Sequence, residues 1–209
     1  MNGVAALIQR HAELWRAATH HPFLDGVRDG GLPPAAFGAW LEQDYLYVSD
    51  LLMFQARLLS RAPRAAQAVL INGLAALEGE LGWFEDLATQ RSLSLEAAHH
   101  ATTLRYREFL VGLEARPYAA GIAALWAIER VYLEAWQTAA PGQPEYREFV
   151  EHWTTPAFAD YVIGLERAAE AALAAGSDLS AADSAFAEVA RLERAFWEMA
   201  WNSPRSTSE

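Results

Sequence analysis

Apolar residues recur at three- and four-residue steps along almost the whole chain, and no stretch alternates convincingly as a half-buried strand would. A chain patterned this way buries its stripes by packing helix on helix, so the fold class is all-α. Prolines and glycines cut the pattern into helices. A first helix is predicted over 4–19, ended by His20-His21-Pro22, with 26–31 as a loop or short turn. Pro33-Pro34 opens a long helix to about residue 60, and Pro63 starts another to about 89. Ser92 or Ser94 caps the next, ending near Gly112. Pro117 opens a helix to about 139, Pro141-Gly142-Gln143-Pro144 separates it from a shorter one, and Pro156 begins a helix ending at Gly176. Ser180-Ala181-Ala182-Asp183 resembles a capping box for the last helix, which stops before Ser203-Pro204. Connections are short, so the expectation is one compact bundle over residues 1–203, followed by a frayed tail over 204–209.

Composition then removes whole classes of function. With 209 residues, 53% hydrophobic and 21% charged, the chain is long enough for a sizeable core and has a globular balance. A formal charge of −11 argues against nucleic acid or an anionic membrane as partner. The sequence has no cysteine, which removes disulfides, thiolate metal sites and a cysteine nucleophile. Apart from histidine every basic residue is arginine, so no lysine forms a Schiff base or serves a phosphate loop. With no signal-like start and no apolar run near the ~20 residues a bilayer requires, the expected location is cytoplasmic.

The informative signal is where acids interrupt apolar stripes. Asp44 sits among Phe37, Trp40, Leu41, Tyr47, Val48 and Leu51. Glu129 is at the centre of Ile122, Leu125, Trp126, Tyr132, Leu133 and Trp136. Glu193 holds the same place among Phe186, Val189, Phe196, Trp197, Ala200 and Trp201. A lone buried carboxylate is very costly, so each acid must find a partner, shift its pKa or line a wet cavity. The structural alternative pairs them with Arg130, Arg194 and Arg57; three coincident acids favour an acid–base site with aromatic walls. Tyr47 shares the face of Asp44. His20 and His21 read as capping or exposed residues, the other histidines form no cluster, and the single Glu96-x-x-His99 reads as an accident rather than half of a di-metal site.

The residues resemble the TenA/thiaminase II family. The likeness runs through His21-Pro22-Phe23, Gly30-Gly31-Leu32-Pro33, Gln43-Asp44-Tyr45-Leu46-Tyr47, Leu77-Glu78-Gly79-Glu80, 102–106 and Glu193-Arg194-Ala195-Phe196-Trp197. It implies a haem-oxygenase-like helical bundle with a pyrimidine pocket between helices. By resemblance Asp44 binds the aminopyrimidine, Tyr47 and Tyr106 are pocket tyrosines, Glu193 handles protons on the ring, and Trp153 packs on the ligand. Thiaminase II members carry a cysteine nucleophile on the helix that here contains Ile128-Glu129-Arg130. This chain is similar instead to the cysteine-lacking TenA_E branch, in which Glu129 takes the role of general base or nucleophile and Glu80 or Glu78 assists.

The expectation is metal-free hydrolysis, without a cofactor, of aminopyrimidine or formylaminopyrimidine breakdown products of thiamine. The implied partner is a small pyrimidine substrate, and the resemblance implies a homo-oligomer. A di-metal carboxylate oxygenase of related fold and a non-catalytic pyrimidine-binding or regulatory protein are the alternatives.

Overall fold

The structure, a computed structural model, describes residues 3–91, 95–176 and 179–203. These form α1 (Val4–Arg10), α2 (Ala12–Thr19), α3 (Pro22–Asp29), α4 (Pro34–Leu59), α5 (Arg64–Arg91) and α6 (Ala101–Gly112). A 3₁₀ turn (Leu113–Ala115) leads to α7 (Tyr118–Thr138), α8 (Arg147–Trp153), α9 (Pro156–Ala174) and α10 (Leu179–Trp201). No strand occurs among the described residues, and none of their helices is long and apolar enough to cross a membrane.

The bundle is organised around α7, which is buried on nearly every side. Its small residues Ala119, Ala120, Ala123, Ala124 and Ala127 let neighbours come close, and α10 and α9 pack on it most extensively. α2, α3, α4 and α8 complete its surroundings. A helix apolar all round has to be a central one. α4 and α5 form a long antiparallel pair beside it, and α5 also packs on α9.

Four sequence expectations need correction. The first helix is two, because His11 leaves helical geometry (φ −111°, ψ 29°) and its ring bonds Asp183 on α10 at 3.1 Å. The glycine-rich 26–31 stretch is largely helical: Pro22 opens α3, the His21 Nδ1 caps the Phe23 amide, and Gly26 allows Leu32 to approach. Only Gly30, at φ 83°, takes the left-handed conformation that ends the helix. α6 begins at Ala101 with His100 as its cap; Ser92 and Ser94 lie outside the described residues, as does the 204–209 tail. Finally, α10 is already helical at Leu179, so Ser180 is not its cap, and Asp183 instead bonds Arg10 and His11.

Close packing of α4, α5 and α9 depends on a glycine. The Gln55 Nε2 donates to the Leu70 carbonyl at 2.8 Å, and Tyr161 donates to Gln55 Oε1 at 3.1 Å. Both side chains occupy the space where a Cβ on Gly73 would project. Gly73→Ala is expected to cost ~1–3 kcal/mol by overpacking. Each kcal/mol lowers the melting temperature by ~2–4 °C in a chain of this size, a drop that calorimetry reads directly.

Candidate active site

All three stripe-interrupting acids are buried: Asp44 is 1% exposed, Glu129 6% and Glu193 3%. The arginines that would have neutralised them are engaged elsewhere. Arg130 pairs with Glu134 at 2.6 Å and Glu166 at 3.7 Å, Arg194 with Glu198 at 3.7 Å, and Arg57 with Glu114 at 3.0 Å. Helical geometry explains Arg130, since adjacent residues point about 100° apart around the axis.

A cavity of about 770 Å³ opens between α4, α5, α7, α8 and α9. Asp44, Tyr47, Glu129 and Trp153 line it, together with Glu80 of α5 and Tyr132 of α7. No arginine is among its lining residues. Tyr132 donates to Asp44 Oδ2 at 2.7 Å, and the Trp153 indole N–H donates to Glu80 Oε1 at 2.7 Å. Trp153 stacks on Trp136 with ring centroids 4.9 Å apart, and Tyr132 stands edge-on to it. Two buried polar atoms without a hydrogen-bond partner among the described residues belong to this wall: the Tyr47 hydroxyl and Glu129 Oε1. In the cavity wall these two groups are free to take a partner from whatever enters it.

Glu193 and Tyr106 do not line the cavity. The Tyr106 hydroxyl donates to Glu193 Oε1 at 2.5 Å, and the Tyr106 ring packs against Tyr47 with centroids 4.6 Å apart. The tyrosine hydroxyls interact electrostatically yet stand outside hydrogen-bonding geometry. Glu193 is therefore set behind the cavity, with Tyr106 and Tyr47 between. Tyr132 is the site residue missed in sequence, although it lies one helical turn after Glu129. Glu78 is exposed, whereas Glu80 faces the cavity. Glu96 and His99 lie in the non-helical stretch before α6, where their spacing has no helical meaning, and His99 faces Asp50 at 3.8 Å. No group of three or more potential metal ligands occurs among the described residues.

Burial without a cation pushes every acid of this cluster upward. Desolvation raises Asp44 well above its ordinary value, Tyr132 pulls it back through its hydrogen bond, and Glu80 and Glu193 push it further. Glu129 rises well above its ordinary value from desolvation, then from Glu80 and Glu193. Glu193 reaches about 8, desolvation outweighing the Tyr106 bond. Glu80 is raised to about 7, again by desolvation, with the Trp153 bond opposing it; its partial exposure is to the cavity. The folded state thus holds protons that the unfolded chain has released, so stability is lost as pH rises from the ordinary carboxylate range through these raised values. Urea unfolding at pH 6 and pH 8 should show this fall. Glu193→Gln, which can still accept from Tyr106, should reduce its slope by up to about 1.4 kcal/mol per pH unit.

Comparison with known proteins agrees with this architecture. Residues 8–203 match the TENA/THI-4/PQQC family. A Glycine max protein described as a probable bifunctional TENA-E protein is 32% identical over 206 residues, covering 92% of this chain and 90% of that protein. An aminopyrimidine aminohydrolase of Halalkalibacterium halodurans is 26% identical over 219 residues, covering 97% and 96%. Among solved structures, a TenA homologue from Pyrococcus furiosus superposes with a TM-score of 0.88 at 26% identity, over 94% of this chain and 98% of that one. Family match and helical architecture coincide over nearly the whole chain, which belongs to the TENA/THI-4/PQQC family.

Proposed function

We propose that this chain is a thiamine-salvage hydrolase that acts on the aminopyrimidine or formylaminopyrimidine breakdown products of thiamine. The observation that carries the reading is Glu129, a buried acid with an unpartnered oxygen in the wall of a cavity that has no arginine. Its support is the relation to proteins described as TENA-E and aminopyrimidine aminohydrolase.

The pyrimidine ring lies against the aromatic wall of Trp153 and Tyr132. Asp44, one oxygen taken by Tyr132, meets the amino edge of the ring with the other. With its pKa raised by burial, that oxygen carries the proton and donates to the ring nitrogen beside the amino group. Tyr47 offers its unpartnered hydroxyl to the same ligand. Glu193 does not touch the ring; its hydrogen bond to Tyr106 holds that tyrosine against Tyr47 at the back of the pocket. With no cysteine in the chain, thiolate addition to the ring is unavailable. Glu129 takes its place, and its raised pKa suits it to protonate the nitrogen that leaves the methylene arm rather than to act as base or nucleophile.

Mass-spectrometric assay of formylaminopyrimidine, aminopyrimidine and thiamine tests the reading: one or both breakdown products are converted and thiamine is left intact. Glu129→Gln should lower kcat by ~10²-fold or more while hydroxymethylpyrimidine still binds. Turnover at the wild-type rate in that variant removes Glu129 from the chemistry.

A further inference from the structure

We infer that Glu80 is the catalytic base of this site, held by the Trp153 indole so that its carboxylate takes a proton from the water that attacks the substrate arm. The inference rests on the hydrolase reading and completes it, since Glu129 as proton donor leaves the water without a base.

The geometry separates Glu80 from an ordinary core acid. It forms no salt bridge among the described residues, and its side chain lines the cavity from α5, whereas Glu129 lines it from α7. Trp153 fixes Oε1 at 2.7 Å, which orients the carboxyl without neutralising it. Asp44 and Tyr47 from α4, Glu129 and Tyr132 from α7, His152 from α8, and Asp160 and Tyr161 from α9 are the titratable groups that share its cavity. None is a fixed cation, and burial lowers the pKa of His152, the one group able to become one. Of the two glutamates, Glu80 has an indole donor that favours its charged form, whereas Glu129 Oε1 has no partner and Glu80 itself pushes Glu129 upward, so Glu80 ionises more readily. Neighbouring acids pushed apart in this way divide into a base and an acid.

The step balances. Glu80 takes a proton from water as its oxygen bonds to the methylene carbon. The C–N bond breaks with its electron pair on nitrogen, which takes the proton of Glu129 and leaves as ammonia. The proton on Glu80 then replaces the one Glu129 gave up. Aminomethylpyrimidine and water become hydroxymethylpyrimidine and ammonia. With a formylated arm the same pair works on the formyl carbon, releasing formate and the free amine.

The test is the pH profile of kcat for whichever breakdown product wild type converts, with Glu80→Gln and Trp153→Phe beside it. Glu80→Gln, which can still accept from the indole, should lose ~10²-fold or more in kcat with little change in KM, and should lose the limb that rises near neutral pH. Trp153→Phe removes the donor that favours the charged form, so the limb should move to higher pH. A converting wild type matched by Glu80→Gln in kcat and profile overturns the role of Glu80 alone. A wild type that converts neither product overturns both the hydrolase reading and this assignment.

Discussion

Desolvation of carboxyl groups in the absence of a cation is the interaction on which the rest of this structure depends. Ionised carboxylates buried alone are too costly for a domain to carry, so Asp44, Glu129 and Glu193 keep their protons or share them with tyrosines. The arginines serve the surface instead, Arg130 bridging to Glu134 and Glu166 and Arg57 to Glu114. Had Arg130 turned inward, Glu129 would be an ionised half of a structural pair, with no proton to give and no oxygen to spare.

That choice requires a frame able to hold uncharged but polar groups in fixed places. α7 supplies it, because its run of alanines brings α9 and α10 close while Trp126 packs on Trp15 and Phe186 and Trp136 on Trp40 and Trp153. At Gly121 a Cβ would press on the tip of the Leu58 side chain, which packs between α7 and α4. Tyr132, one turn beyond Glu129, ties α7 to α4 through Asp44, and Trp153 ties α8 to α5 through Glu80. The cavity wall is therefore cross-linked by hydrogen bonds to two of its own acids, and the groups that position the site belong to it.

Much of this was legible in sequence. The faces of α4, α7 and α10 follow from three- and four-residue steps, and so does the inward direction of Asp44, Glu129 and Glu193. Periodicity assigns a direction and is silent on what lies at its end: Glu129 points into a cavity, whereas Glu193, on an equally regular stripe, points at Tyr106. The helix start of α3 was obscured because Gly26 serves packing against Leu32 rather than a turn. Glu80 carried a usable signal. Gly73, Leu77, Phe84 and Leu87 form the buried stripe of α5 at steps into which Glu80 fits and Glu78 does not, since residues two apart face nearly opposite ways. The weak amphipathicity of that long helix hid it.

A carboxyl in the place of a thiolate also suits the bond to be broken. The thiazole of thiamine is attached through a quaternary nitrogen and departs as a neutral base with no need of a proton, so a nucleophile that adds to the ring is enough. An amine or a formamide leaving the same methylene carbon departs poorly unless its nitrogen is protonated as the bond breaks. On the assignment proposed above, Glu129, its pKa raised by burial, supplies that proton, and Glu80 returns it. On this assignment the arginine-free cavity is the condition that lets carboxylic acids do the work of both acid and base.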